Sequence, residues 1–284
     1  MLGHHRRENV WKVRGKSFRH QPGMWGTSEC PLVIDGKKVI YTPSGNETTI
    51  VALDAETGKT IWKSRSLQDE GGYASPILIT YNGHRKIVAL TGNRIVGVNP
   101  ENGQIDWTFD DLGKEGSQYI VPTNTPLYKD GRIFTANGYG AGAFMLQLNE
   151  DASGVRLLWR NKGFDPHHGC FVLVDGIIYG SSHGRNGLGK WMAVDWNTGR
   201  TRFEMNWGKG VGEGSVIAAD GMLYCSDERR GMVGLVRVNP AKFDLVSFFR
   251  ITRGEGAFWA HPVIHRGILY VRHGNALMAY KIKG

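Results

Sequence analysis

Four side chains that could bind and orient a small molecule lie at wide intervals along the chain. They are Tyr73, His168, Glu213 and Trp259, which supply two aromatic rings, a base and a carboxylate. Aromatic surfaces with a few polar groups beside them are typical of small-molecule sites. A histidine next to a glutamate would form a pair with a raised histidine pKa, so that ligand binding would weaken above neutral pH. Whether these residues act together depends on the elements that hold them.

Six short turns occur along the sequence at steps of 45 to 48 residues. Each lies between two apolar runs: Asp35–Gly36, Asn82–Gly83, Asp130–Gly131, Asp175–Gly176, Asp220–Gly221 and Arg266–Gly267. Asn-Gly and Asp-Gly pairs in this setting are the strongest short-range signal for a β-hairpin. A near-constant period of this size indicates repeated supersecondary units. The alternating apolar residues and the 40 glycines exclude a helical repeat.

A second hairpin follows each of the first five turns, and "VALDAETGKTIWK" (residues 51–63) is its clearest copy. Asp or Asn opens the turn, Gly is expected at a positive φ, and a large aromatic residue closes the copy. The openers are Asp54, Asn99, Asn149, Asp195 and Asn239; the glycines are Gly58, Gly103, Gly154 and Gly199; the aromatics are Trp62, Trp107, Trp159, Phe203 and Phe248. The fifth copy has Phe243–Asp244 in place of glycine, so a different turn is expected there.

Two hairpins per repeat give four short antiparallel strands, which is the blade of a β-propeller. The sequence therefore predicts an all-β propeller with about six blades: five complete blades, a final three-stranded piece, and an N-terminal strand at residues 9–15.

The repeat register places the four side chains at equivalent positions of their blades. One set of equivalent residues is Ser28, Tyr73, Thr123, His168, Glu213 and Trp259, and a second is Cys30, Ser75, Thr125, Cys170, Ser215 and His261. Residues two apart in a strand point to the same side, so the two sets should stack as rings at one mouth of a central channel. The predicted ligand-binding residues are Ser28, Tyr73, Thr123, His168, Glu213, Trp259 and His261. A second interpretation stays open, in which these side chains only fill the channel and bind water.

Other candidate chemistries have weaker support in the sequence. Adjacent His167 and His168 point to opposite sides of a strand, and no third His or Cys follows at a familiar spacing, so no metal site is predicted. The segment "SSHGRNGLGKW" (residues 181–191) lacks the order and the following helix of a phosphate loop and is interpreted as a hairpin loop, whose Arg185 and Lys190 could reach an anion. The three cysteines suggest neither a disulfide framework nor a compartment.

The motif formed by Ala52, Asp54, Thr57, Gly58 and Trp62 resembles the tryptophan-docking motif of the pyrroloquinoline-quinone (PQQ) repeat propellers. These include quinoprotein alcohol dehydrogenases and BamB-like outer-membrane assembly factors. Residues 167–180 and 259–272 resemble segments of PQQ-like propellers of Bacteroidetes and Planctomycetes, most of which lack an assigned reaction. The resemblance covers essentially the whole chain. It implies a propeller that usually has eight blades and is usually exported, with the aromatic residue docking each outer hairpin to its neighbour.

The chain is expected to form one propeller domain over residues 1–284. Two alternatives stay open: it lacks N-terminal blades of a longer propeller, or its N-terminal strand completes the sixth blade. The sequence has no apolar run long enough to span a bilayer, and "MLGHHRRENV" lacks the apolar core of a signal peptide. A periplasmic or extracellular location is implied by the resemblance alone.

The net charge of +9 is scattered, and no nucleic-acid-binding motif is present, so a solvated basic surface is expected rather than a nucleic-acid partner. We expect a non-catalytic, BamB-like binding or scaffolding propeller that recognises a small molecule, a carbohydrate or a protein. The alternative is a PQQ-dependent oxidoreductase, in which Trp259 would stack on the quinone and Glu213 would bind calcium. The resemblance to the dehydrogenases implies an adjacent cysteine pair and a general-base aspartate. This chain lacks that pair and has no Asp in the predicted rings, so no cofactor is predicted.

Overall fold

The computed structural model describes residues 10–113, 120–183, 189–208 and 211–282. These residues form 23 strands in six antiparallel sheets, which we call blades 1 to 6 in chain order. Blades 1 to 5 have four strands, blade 6 has three, and within each blade neighbouring strands are consecutive in the chain. In the described part of the chain, helix is limited to the four-residue 3-10 turn Gly15–Phe18. The prediction of an all-β chain built from four-stranded antiparallel blades is therefore confirmed.

The chain divides into two compact units, Met1–Asp110 with Asn149–Val155, and Asp111–Leu148 with Arg156–Gly284. The first unit holds blades 1 and 2. Blade 1 consists of β1 (Leu32–Ile34), β2 (Lys38–Tyr41), β3 (Val51–Asp54) and β4 (Thr60–Lys63), and blade 2 of β5 (Ile77–Tyr81), β6 (His84–Leu90), β7 (Ile95–Val98) and β8 (Ile105–Phe109). Buried Ile40 and Ala52 of blade 1 share one core with Ile87 and Val96 of blade 2, so apolar burial joins the two blades.

The second unit holds blades 3 to 6, apart from the outer turn of blade 3. Blade 3 has β9 (Leu127–Lys129), β10 (Arg132–Asn137), β11 (Gly142–Leu148) and β12 (Val155–Asn161); blade 4 has β13 (Phe171–Val174), β14 (Ile177–Ser181), β15 (Trp191–Asp195) and β16 (Thr201–Met205). Blade 5 has β17 (Gly214–Ala219), β18 (Met222–Asp227), β19 (Met232–Arg237) and β20 (Asp244–Arg250), and blade 6 has β21 (Val263–His265), β22 (Ile268–His273) and β23 (Ala276–Lys281). Apolar cores again join neighbouring blades, for example Phe134 of blade 3 with Met192 of blade 4.

The six predicted inner turns are present, and both residues of each pair have a positive φ. This is the backbone of a type I′ turn, whose twist matches that of the two strands it joins. Five of the turns have two residues, as in the loop between Val174 and Ile177, whereas the first has three because Ile34 pairs with Lys38. The period read from the sequence thus corresponds to the first hairpin of each blade.

The outer turns follow the predicted chemistry with one exception. Asp54 Oδ1 accepts hydrogen bonds from the amide of Thr57 at 2.8 Å and from its hydroxyl at 2.7 Å, which closes the turn of blade 1. Gly58, Gly103 and Gly199 have positive φ values between 69° and 77°, as expected. Gly154 does not, and in blade 3 Ala152 takes the left-handed conformation instead, with φ 54°. The expectation for Gly154 was wrong because the turn of blade 3 is longer, and its left-handed residue lies two positions earlier, at Ala152.

Two of the closing tryptophans reach the outer turn of the next blade. The indole Nε1 of Trp62 donates to the carbonyl of Pro100 at 3.1 Å, and its ring lies against Gly103. Trp159 repeats this arrangement, donating to the carbonyl of Trp196 at 3.2 Å and packing against Gly199. Phe248 of blade 5 differs, because 61% of its surface is exposed.

The predicted N-terminal strand is not formed. Asn9 lies outside the described residues, and residues 10–14 are not in a strand. Trp11 nevertheless donates from Nε1 to the carbonyl of Ala55 at 2.9 Å and packs against Gly58, as Trp62 does on the following blade. The segment is therefore held by a side chain and not by a strand ladder. Within the described ranges, no helix has the length and apolar character needed to cross a membrane.

Candidate functional site

The first hairpin of blade 4 brings three histidines to one end of its sheet. Phe171 at the start of β13 pairs with Gly180 near the end of β14. His167 and His168 precede the first strand and His183 follows the second, so all three lie at the same end of the hairpin. The ring centroid of His167 lies 4.6 Å from that of His168 and 4.9 Å from that of His183. The three imidazoles therefore form one contiguous group, which we call the histidine cluster.

The first hairpin of blade 5 brings two carboxylates to the same place. Glu213 and Glu228 flank this hairpin, and the amide of Glu228 donates to the carbonyl of Glu213 at 3.1 Å. Glu213 is buried and its Oε1 is hydrogen-bonded to Nδ1 of His183. The Oε2 atom of Glu228 lies 3.4 Å from Nε2 of His168. Two histidine–carboxylate pairs thus join blades 4 and 5.

Blade 6 contributes an aromatic ring and a fourth imidazole. Trp259 meets His168 edge to face, with ring centroids 5.2 Å apart and an interplanar angle of 60°. Nε2 of His261 lies 2.9 Å from the carbonyl oxygen of His168. Trp259 is 61% exposed and His261 is also exposed, so this edge of the cluster faces solvent.

Blade 3 supports the other side of the cluster. The ring of Tyr139 packs against His167 and His183, with centroid distances of 4.8 and 5.0 Å. Tyr139 has φ 62°, an uncommon conformation for a bulky residue, which surrounding contacts must maintain. The hydroxyl of Thr123 donates to the carbonyl oxygen of His167. These contacts fix the backbone and the rings of the histidine cluster.

Burial divides the histidines into neutral and charged groups. Burial, and then the charges of neighbouring imidazoles, lower the pKa of His167 to about 3 and that of His168 to about 4. The hydrogen bond that His183 donates to Glu213 instead raises the pKa of His183. Burial and the charge of Glu213 raise the pKa of Glu228 to about 7. At neutral pH, His167 and His168 are therefore neutral, while Glu213 favours the protonated form of His183.

This arrangement corrects one expectation from the sequence. His168 contacts Glu228 and Glu213 bonds His183, so the predicted pairing of His168 with Glu213 is wrong. The pKa of His168 is lowered and not raised, because burial outweighs the nearby carboxylate. The expected loss of binding above neutral pH through His168 therefore has no basis, since this imidazole is already neutral there.

The predicted site residues fall into two groups. Thr123, His168, Glu213, Trp259 and His261 belong to the second unit and to the cluster just described. Ser28 and Tyr73 belong to the first unit, where the hydroxyl of Ser28 donates to the carbonyl of Tyr73 at 3.0 Å. Tyr73 also accepts a hydrogen bond at its hydroxyl from the amide of Trp25 at 3.2 Å.

Sequence reasoning missed His183, Glu228 and Tyr139. The sequence held a usable signal for the first two. His168 and His183 are the same number of residues from the turn at Asp175–Gly176, so the hairpin brings them to the same end. Glu213 and Glu228 are related in the same way by the turn at residues 220–221. Of the loop residues proposed for anion binding, Arg185 lies outside the described residues, and Lys190 is paired with Glu204.

The donor groups do not form a metal centre in the described ranges. No three His, Cys, Asp or Glu side chains there are arranged to hold a metal ion. The arrangement can instead accept and donate hydrogen bonds through neutral imidazoles and carboxylates, beside an exposed indole ring. It therefore has the composition of a polar binding site with one aromatic wall.

A family model described as "Outer membrane protein assembly factor BamB" matches residues 7–205 of the chain. The chain is 26% identical over 199 residues to subunit 1 of the cytochrome c methanol dehydrogenase of Methylorubrum extorquens, which covers 64% of this chain and 31% of that protein. It is 30% identical over 191 residues to the quinoprotein alcohol dehydrogenase PedH of Pseudomonas putida, covering 61% of this chain and 29% of that protein.

Among solved structures, BamB from Moraxella catarrhalis is similar, with a TM-score of 0.62 and 18% identity over 87% of this chain and 67% of that chain. At this identity the likeness shows the β-propeller fold and nothing finer. The chain spans about a third of the length of the two dehydrogenases.

Proposed function

Because the chain belongs to the family described as the outer membrane protein assembly factor BamB, we propose that it is a non-catalytic binding propeller whose ligand site is the histidine cluster with Glu213, Glu228, Trp259 and His261. The partner is a small molecule, a carbohydrate or a segment of a protein that can form hydrogen bonds with these polar groups and cover the indole ring. The proposal extends to the location of the protein, which we take to be exported like the propellers that it resembles.

The observation that carries this proposal is an exposed indole beside half-buried, paired polar groups. Trp259 is 61% exposed, whereas the side chains of His168 and His183 are only 27% and 23% exposed. Side chains that merely filled a channel would not leave a large aromatic surface in water. Exposed aromatic rings next to ordered polar groups are instead a common feature of binding surfaces.

The alternative of a PQQ-dependent oxidoreductase has support from the methanol dehydrogenase and PedH matches, but the cluster does not fit that cofactor. Glu213, the expected calcium ligand, is already hydrogen-bonded to His183 and lies 3.9 Å from Nε of Arg229. Trp259, the expected stacking residue, meets His168 by an edge contact. Cys30, Cys170 and Cys225 are free thiols in three different blades, so no adjacent pair exists to form a disulfide.

One experiment separates the two functions. The protein is titrated with PQQ and calcium and assayed for alcohol-dependent dye reduction, and in parallel its melting temperature is measured with amino acids, nucleosides, aromatic acids and neutral oligosaccharides. We expect no dye reduction, and stabilisation by at least one compound class that is lost in His168→Ala. Submicromolar PQQ binding with dye reduction would establish the oxidoreductase instead. If no compound class raises the melting temperature, the proposed ligand site is refuted.

A further inference from the structure

Trp259 gives the cluster an apolar surface that a ligand can reach. Its ring makes an edge contact with His168, and most of the indole is in water. A large amphipathic ring of this kind gains most when a flat apolar face of a ligand covers it. The CH faces of pyranose rings are such surfaces, and so are planar aromatic rings.

The polar groups beside Trp259 discriminate between these two ligand types. A neutral imidazole has one donor and one acceptor, and a carboxylate accepts through both oxygens. His168 is a neutral imidazole next to Glu228, and His261 presents a second imidazole at the exposed edge. Hydroxyl groups both donate and accept, so a hydroxyl-rich ligand can satisfy this mixed set, whereas a bare aromatic ring cannot.

The ionisable groups around Trp259 include both acids and bases, and this mixture disfavours a charged ligand. Glu213 faces His183, whose pKa it raises, and lies 3.9 Å from Nε of Arg229, while Glu228 faces the neutral imidazole of His168. An anionic ligand would meet the two glutamates, and a cationic ligand would meet His183 and Arg229. A neutral ligand meets neither repulsion.

One buried acceptor in the cluster still needs a donor. Glu213 is 4% exposed, and its Oε2 atom has no hydrogen-bond partner among the described residues. A buried carboxylate oxygen without a donor is costly, so a water or a ligand hydroxyl is required to complete it. A sugar hydroxyl, directly or through a bridging water, can donate to this oxygen.

We propose that the histidine cluster and the residues around it bind a neutral carbohydrate. Trp259 lies against one face of a sugar ring, and His168, Glu228 and His261 are hydrogen-bonded to its hydroxyl groups. This inference rests on the proposed binding function and names the ligand class of that same site.

The test uses three neutral hexasaccharides, maltohexaose, cellohexaose and N-acetylated chitohexaose, titrated by calorimetry and by tryptophan fluorescence. The key variant is Trp259→Ala, and the matched control is Trp25→Ala, since Trp25 is a tryptophan of equal exposure, 60%, in the first unit. We expect at least one saccharide to bind, at least tenfold weaker binding in Trp259→Ala, and unchanged binding in Trp25→Ala. Exposed His261→Ala serves as a second variant should Trp259→Ala not fold.

The outcomes also separate this inference from the proposed function. If no saccharide binds while another compound class stabilises the protein in a His168-dependent way, the site is real and the carbohydrate assignment is wrong. Equal affinity of Trp259→Ala and the wild type for a bound saccharide would also overturn it. If no compound of any class binds, the proposed function fails together with the inference.

Discussion

His168 and Glu228 face each other across neighbouring blades, with Nε2 of the imidazole 3.4 Å from Oε2 of the carboxylate. Both groups are largely buried, and burial acts on each against its charged form: it lowers the pKa of His168 to about 4 and raises that of Glu228 to about 7. At neutral pH the imidazole of His168 is therefore neutral, and the carboxyl group of Glu228 is close to its own pKa.

This relationship predicts how Glu228→Gln changes stability with pH. The folded state holds the Glu228 proton up to about pH 7, whereas the unfolded chain releases it near its ordinary value of 4.5. Wild-type stability due to Glu228 is thus present at low pH and is lost as the pH rises towards and through 7. Relative to wild type, the variant should gain about 1–2 kcal/mol in unfolding free energy between pH 5 and pH 8, measured by urea denaturation.

The control for this prediction is Glu56→Gln, in which an exposed glutamate of an outer turn is replaced. This variant gives the baseline for removing an exposed carboxyl group, against which the pH dependence of Glu228→Gln is measured. A pH-independent difference for Glu228→Gln would show that the Glu228 carboxylate titrates as it does in water.

Glu213→Gln should lower the pKa of His183. The raised pKa of this histidine is caused first by its hydrogen bond with Glu213, and only then by the surrounding charges. Removing the negative charge leaves burial as the main influence, which favours the neutral imidazole. A raised histidine pKa stabilises the fold fully below the ordinary value of 6.5, and this stabilisation is lost as the pH rises through the folded-state pKa, so the variant should also lose stability chiefly below pH 6.5.

An NMR titration of the His183 ring protons measures this shift directly. The matched control is Glu204→Gln, which removes an exposed carboxylate from the same blade. A pKa of His183 that stays the same in Glu213→Gln would mean that another group holds its proton.

The repeat and the turns could be predicted because they depend on local chemistry. Asp175–Gly176 needs only its own two positive φ values to fix which residues of β13 and β14 are paired. Once that register is known, the end of the blade at which His168 lies follows from counting. Tracing only the first strand of each hairpin left His183 and Glu228 out of the predicted site.

The partners across blades could not be predicted in the same way. Whether Glu213 reaches His183 or His168 depends on the twist between blades 4 and 5 and on side-chain length, neither of which the repeat specifies. The same holds for Tyr139, which reaches the cluster because its backbone adopts an uncommon left-handed conformation.

Trp62→Ala should destabilise the first unit strongly. The residue is 8% exposed, and its indole donates to the carbonyl of Pro100 on the next blade. Truncating a buried tryptophan typically costs about 3–5 kcal/mol. Trp25→Ala, at 60% exposure, should cost less than about 0.5 kcal/mol. Trp207 is half-buried and packs against Gly234, so Trp207→Ala should cause an intermediate loss of stability. Thermal denaturation gives the order, and equal losses for Trp62 and Trp25 would contradict it.

Gly103→Ala tests the contact between Trp62 and the neighbouring turn. Gly103 has φ 77°, and a Cβ there would lie 2.4 Å from the ring of Trp62, so the substitution adds a clash to backbone strain. Gly83 is a control in the same unit, because it has φ 81° and nothing within 4 Å of a Cβ. Strain alone costs about 1–2 kcal/mol, which is the loss expected for Gly83→Ala. Gly103→Ala should cost at least about 1–2 kcal/mol more, because the indole must move.

The excess should disappear when the ring is absent. In a Trp62→Ala background, Gly103→Ala should cost no more than Gly83→Ala, because only the backbone strain remains. The coupling energy from this double-mutant cycle, measured by urea denaturation, therefore reports the contact between Trp62 and Gly103 separately from the turn itself. A coupling energy near zero would mean that the indole does not rest on Gly103 in solution, and that the two blades are held together by their shared apolar core alone.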